Sequence, residues 1–165
     1  MLRLKAVLLP LFLHGLVVGI IPWWIAGGFH IPEGPLGLVA IPGTLLGIGG
    51  AALIFWTSLL FADVGRGTLL IFDPPKKFVV QGPFRWIRHP IYAGALLIAF
   101  GETLATLSLR LLIYTACLAA AAHLNVVFVE EPVLRKRFGD LYDVYCAKVP
   151  RWIPRLRKGK AVEET

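Results

Sequence analysis

The sequence predicts an all-α fold: a polytopic membrane bundle of about four transmembrane helices, with a cytoplasmic, amphipathic C-terminal helix capping a pocket. Three observations carry this. Hydrophobic residues fill 57% of the 165 positions and charged residues only 16%, against roughly 25% charged in soluble domains. The apolar residues gather in four runs, 6–26, 36–62, 91–108 and 111–129, each near the roughly 20 residues that cross a hydrocarbon core. Behind the last run, Leu134, Phe138, Leu141, Tyr142 and Tyr145 recur at helical spacing, while Arg135, Lys136, Arg137, Asp140 and Asp143 occupy much of the other face. That is the pattern of a helix with one face against the bundle or the membrane surface. By length the chain is one domain, 1–165.

The first run follows Arg3 and Lys5 and outlasts a signal-peptide core, so it is read as a retained helix. Gly15 with Gly19, and Gly43 with Gly47 in the second run, are small-xxx-small pairs expected to let helix backbones meet where lipid already satisfies apolar surface. Pro10, Pro22 and Pro42 predict kinks or helix ends. Trp23 and Trp24 mark a membrane boundary, and His14 reads as a packed, hydrogen-bonded residue. Between the second and third runs, Gly65, Gly67, Pro74, Pro75 and Gly82 exclude one long helix. A compact cap with strand-like pieces at 68–72 and 78–80 is expected there.

Only residues 106–110 separate the third and fourth runs, so these form a tight hairpin. Equal rise on antiparallel helices then sets His123 level with Gly94, Asn125 with Tyr92, and Glu130 with Ile87. Glu102 falls in the opposite half near Thr115, a functional candidate by its depth unless Thr106, one turn on, satisfies it. Pro132 interrupts the helix after Glu130 and Glu131 and leaves both carboxylates at the start of a new one, where the helix dipole favours them. The C-terminal helix is expected over 133–147. Pro150 and Pro154 stiffen the segment after it, with Trp152 as an interfacial anchor. The tail 155–165 is expected to be disordered.

Of the 17 lysines and arginines, all but Arg110 fall near the termini or in the central loop. By the positive-inside rule both termini and that loop face the cytoplasm. The same clustering at run ends argues against a nucleic-acid partner. Cys117 and Cys146 read as free thiols. No metal site is expected: His14, His30, His89 and His123 are scattered, without His-x-x-x-His or Cys-x-x-Cys spacing. No glycine-rich phosphate loop follows a strand, and neither Ser58 nor Ser108 sits by a histidine. The reading contains no targeting peptide and no long luminal domain, so a prokaryotic inner membrane is the expected location. Membrane lipids surround it, and no obligate protein partner is expected.

The chemistry gathers at Gly82 to Gly94. Pro90 pre-sets the first turn of a helix and keeps His89 out of it, Tyr92 lies one step inside, and Gly94 permits close approach to the backbone. Arg88, His89, Tyr92, Asn125, Glu130 and Glu131 make a mixed polar pocket at the inner membrane boundary. A charged soluble molecule can reach it from the cytoplasm and a lipid-tailed one from the bilayer.

Gly82-Pro83-Phe84-Arg85, Arg88-His89-Pro90-Ile91-Tyr92-Ala93-Gly94, Glu130-Glu131-Pro132-Val133-Leu134, Phe138-Gly139, Tyr142, Tyr145 and Val149-Pro150-Arg151-Trp152-Ile153-Pro154 resemble the C-terminal signature of the isoprenylcysteine carboxyl methyltransferase and phosphatidylethanolamine N-methyltransferase group of integral membrane enzymes. The resemblance covers residues 82–154. It implies S-adenosylmethionine as cofactor, held by His89, Pro90, Tyr92, Gly94, Asn125, Glu130, Glu131, Tyr142 and Tyr145, and a lipophilic acceptor carrying a carboxylate, thiol or amine. For a carboxylate acceptor no base is needed and Arg88 or Arg151 orients it; for an amine or thiol, His89 or Glu131 serves as base. Tyr142 to Pro154 is also similar to the end of NADPH-dependent membrane sterol reductases, but Pro90 and Glu130-Glu131-Pro132 favour methyl transfer. A non-catalytic membrane scaffold that kept the pocket is the third reading.

Overall fold

The computed structural model describes residues 12–60, 63 and 78–154. The expectations for 6–11, for a strand-like piece at 68–72 and for a disordered tail at 155–165 lie outside those residues. Within them the chain is helical with no strand; Phe78 to Val80 is unpaired coil. Helix α1 spans Phe12–Ala26. Helix α2 (Ala40–Leu60) follows a 3-10 turn at Gly34–Val39, α3 spans Pro90–Thr106 and α4 spans Leu109–Asn125. A π-helical turn at Val126–Glu130 carries α4 into α5 (Glu131–Phe138), and α6 spans Asp140–Lys148.

The helical stretches Gly34–Leu60 and Leu109–Phe138 are long and apolar enough to cross a membrane, while α1 and α3 are apolar but shorter. The apolar part of the second stretch ends at Val129, and charge begins at Glu130. Large apolar side chains such as Leu45, Ile48, Phe55, Ile113, Leu124 and Phe128 point outward, whereas Thr57, Ser58, Thr103 and Thr115 are buried. Thr57, Ser58 and Thr103 each donate to the carbonyl one turn back, those of Leu53, Ile54 and Ala99. Polar atoms satisfied within their own helix, beneath an apolar exterior, are what a hydrocarbon surround demands.

Glycines set how closely α2 and α3 approach. A Cβ on Gly43 would stand 2.6 Å from Gly101 O, and one on Gly94 would stand 2.8 Å from Gly50 O and 2.7 Å from Ile54 Cγ1. The two crossing points, Gly43 with Gly101 and Gly50 with Gly94, sit two turns apart on antiparallel helices. Gly43 therefore acts as expected; a Cβ on Gly101 would meet the Gly47 backbone, while one on Gly47 itself would meet nothing described within 4 Å. Gly15 and Gly19 do not act so: nothing described lies within 4 Å of a Cβ on either.

Pro22 has its effect one turn earlier. Its missing N–H leaves the Val18 position without the usual helical bond, and Val18 departs from helical geometry at φ −110, ψ 17 inside a π turn. Pro42 falls in the first turn of α2, where no N–H is required. The α3–α4 hairpin turns at Leu107 (φ 50), and Ser108 caps α4 by accepting from Leu111 N at 3.4 Å. Thr103 and Thr115 join the two helices at 3.0 Å. Thr106 does not satisfy the Glu102 carboxylate; its hydroxyl donates to the Glu102 backbone carbonyl at 2.8 Å.

The single C-terminal helix expected over 133–147 is two helices. Gly139, at φ 55 and ψ −133, breaks it, a conformation that a side chain disfavours. The chain reverses there, so α6 returns toward the α3–α4 ends. Leu134, Phe138, Tyr142, Tyr145 and Val149 pack inward around Phe78 and Val80. Leu141 leaves the expected stripe and is 69% exposed, because the break at Gly139 resets the helical phase.

Candidate functional site

Helix α3 begins at Pro90, and His89 stands just outside it at φ −124, ψ 64, as the His-Pro pair dictates. Its ring is buried beneath the junction of α4 and α5. The π turn matters here: it adds a residue to one helical turn and so changes the facing of everything beyond it. Two consecutive carboxylates consequently reach one imidazole, with His89 Nδ1 3.3 Å from Glu130 Oε1 and Nε2 3.5 Å from Glu131 Oε1. The second contact lacks hydrogen-bond geometry, and Nε2 is buried without a hydrogen-bond partner among the described residues.

Glu131 is the hub. It is 2% exposed, yet it accepts from Arg151 Nε and Nη2 at 2.8 Å each and from Arg88 Nη1 at 3.1 Å. Burial alone would raise its pKa; the Arg151 hydrogen bonds and charge, the Arg88 charge and the contact with His89 outweigh it and bring the carboxyl down to about 2. A carboxylate held that firmly in its charged form is a poor proton acceptor. In this arrangement Glu131 anchors the two arginines. Glu130 differs, with a side chain 36% exposed.

Arg88 ties the C-terminal strap, Val149 to Pro154, across this cluster. Its N–H donates to Pro150 O at 3.0 Å, its Nε to Val149 O at 2.7 Å and its Nη2 to Cys146 O at 2.7 Å. Those carbonyls end α6, where a cation is favoured. The strap lays Trp152 over the site, its ring centroid 5.9 Å from that of His89 and 6.2 Å from that of His123. Trp152 Nε1 donates to His123 Nδ1 at 3.2 Å. Opposite, Asn125 Nδ2 donates to Tyr92 OH at 2.8 Å, matching the level inferred from the hairpin. The Tyr92 ring lies 6.2 Å from that of His89.

Arg88, His89, Glu130, Glu131 and Arg151 are therefore one cluster, with Tyr92 and Asn125 at its edge and Pro90 beneath it as the start of α3. Of the three other expected residues, Tyr142 borders the cluster, its buried hydroxyl feeling the Glu131 and Arg88 charges and lacking a hydrogen-bond partner among the described residues, while Gly94 and Tyr145 turn to other contacts. Gly94 faces α2, where its missing side chain serves helix approach. Tyr145 donates to Phe84 O at 2.7 Å and packs edge-on to Phe78, so its hydroxyl is committed to the cap. Tyr142 is buried beside it. Burial, joined by the Glu131 charge at Tyr142, pushes both hydroxyls above their ordinary pKa. His123 received no role from the sequence and Trp152 only an anchoring one. The estimated level of His123 opposite Gly94 was the available signal.

An apolar helical bundle with an ionised, half-closed cluster at one end defines a membrane protein with an enzyme-like site. The phospholipid methyltransferase family matches residues 38–141, well over half of the chain, and the protein belongs to that family. The matched segment runs from the start of α2 into α6 and holds Arg88, His89, Glu130 and Glu131. It stops before Arg151 and Trp152. A comparison with curated proteins returned no match.

Proposed function

We propose that this membrane protein transfers a methyl group from S-adenosylmethionine to a lipophilic acceptor at the cytoplasmic membrane face, with four crossings and both termini on that side. The observation that carries the reading is His89 set between Glu130 and Glu131, beside Arg88 and Arg151, within a methyltransferase family match.

The residues fit the cofactor. The guanidiniums of Arg88 and Arg151 offer charged N–H groups suited to a methyl donor's carboxylate. Glu130 is exposed enough to accept from a ribose diol. The ring faces of Tyr92 and Trp152 suit a sulfonium, and the unpartnered His89 Nε2 is a buried polar atom that a ligand would satisfy. Bound there, S-adenosylmethionine supplies an electrophilic methyl group.

The chain's own contribution is positioning. Glu131 fixes Arg88 and Arg151, and Arg88 holds the strap that shields the cluster from water. Glu130 steadies His89 at Nδ1, and His89 Nε2 takes the proton of an amine or thiol acceptor. Orientation of an acceptor in line with the methyl supplies much of the rate without a covalent enzyme intermediate.

The protein in lipid nanodiscs is expected to bind S-adenosylhomocysteine saturably by calorimetry. With S-adenosylmethionine and a lipid extract, mass spectrometry is expected to find a product one methylene heavier, absent for His89→Ala at equal membrane insertion. Saturable NADPH binding with none of S-adenosylhomocysteine would overturn the reading in favour of a reductase.

A further inference from the structure

His123 lies inside the apolar run of α4, eight residues before Glu131 and so about 12 Å deeper along the helix. It is exposed on the bundle surface. A polar side chain at that depth is costly unless something uses it. Its recorded hydrogen bond is the one from Trp152 Nε1 at 3.2 Å. Indole nitrogen only donates, so His123 Nδ1 is an acceptor and the neutral ring carries its proton on Nε2.

The buried ridge of α4 in this region is Ala122 and Val126. Helical phase places His123 about 100° to one side of Ala122 and Asn125 about 60° to the other. The Asn125 flank is closed by Tyr92 of α3, a bundle helix, at 2.8 Å. The His123 flank is closed by Trp152, a single side chain on the strap. Beyond Trp152 lies His89, ring centroid to ring centroid 5.9 Å. Trp152 thus stands between His123 on α4 and His89 of the candidate site.

Resting on the methyl-transfer reading, we infer that His123 is an acceptor-positioning residue. It accepts a hydrogen bond from the headgroup of the lipophilic acceptor, and Trp152 Nε1–H holds that place in the free protein. The headgroup consequently carries a proton on nitrogen, oxygen or sulfur. A carboxylate acceptor has none to offer Nδ1. Once the acceptor displaces Trp152, its headgroup stands between His123 and His89.

The test uses the full chain in nanodiscs with ¹⁵N-labelled indoles, the Trp152 signal being identified among five tryptophans by its loss in Trp152→Phe. The probes are hexadecanol and its methyl ether, which differ by one donor proton. Hexadecanol is expected to shift the Trp152 Nε1–H signal saturably and the ether to leave it in place. His123→Phe should shift that signal without any probe and abolish its saturable response to hexadecanol, because neither indole nor alcohol then has Nδ1 to occupy. An equal response to the ether, no response to hexadecanol, or a signal indifferent to His123→Phe overturns the inference. No cofactor takes part, so absent S-adenosylhomocysteine binding would defeat the methyl-donor reading alone, and an unmoved indole would defeat this one alone.

Discussion

Arg151 and Glu131 form a bidentate pair, with Nε 2.8 Å from Oε1 and Nη2 2.8 Å from Oε2. This pair closes the strap onto the start of α5, and Arg88 completes it from the far side at 3.1 Å. One carboxylate thus joins three separate stretches of chain.

Removing that carboxylate should be costly. Glu131→Gln leaves two guanidiniums facing each other, with an expected loss of about 3–5 kcal/mol for a broken buried pair. Arg151→Ala should cost less, about 1–3 kcal/mol, because Arg88 still pairs with Glu131. Thermal unfolding in one detergent would rank them. Arg151→Ala proving the more damaging would mean the strap depends on Arg151 for something other than Glu131.

Acid should act through the same group. The folded pKa of Glu131, about 2, lies below the ordinary 4.5. Its stabilisation is therefore complete above pH 4.5 and fades as pH falls toward 2. The difference in unfolding temperature between wild type and Glu131→Gln should be constant from pH 7 to about 5 and shrink below that. A difference that grows on acidification would contradict the sign.

Glycines at the α2–α3 seam and on α1 should respond in opposite ways. A Cβ on Gly43 meets Gly101 O at 2.6 Å, whereas one on Gly15 meets nothing described. Gly43→Ala is expected to destabilise by about 1–3 kcal/mol, and Gly15→Ala to be neutral or stabilising by up to about 1 kcal/mol. Parallel melting curves decide it; similar losses would refute the seam as the tightest approach.

Tyr145 should behave as part of the cap. Tyr145→Phe deletes a buried hydrogen bond to Phe84 O at 2.7 Å and should cost about 1–2 kcal/mol, with S-adenosylhomocysteine affinity unchanged. Weakened binding at full stability would move Tyr145 back into the site.

Much of the site was legible because its residues lie in short motifs beside helix ends. His89 before Pro90 fixed a break, the hairpin length brought Asn125 level with Tyr92, and Glu130-Glu131-Pro132 marked the next junction. The motif spacing said less about where Gly94, Tyr142 and Tyr145 face. The first is shared between two helices, and Gly139 folds the segment carrying the other two inward onto Phe78.

Composition and periodicity determined by themselves that this chain is an apolar helical bundle with polar chemistry at one end, because burial in hydrocarbon dictates both residue type and helix. Only the tertiary structure decided which groups do what there. The π turn before Glu131 and the reversal at Gly139 set the facing of side chains that spacing along a uniform helix misplaces. That is why Glu131 emerges as an anchor for Arg88 and Arg151, and why Trp152 and His123 meet across 29 positions of sequence.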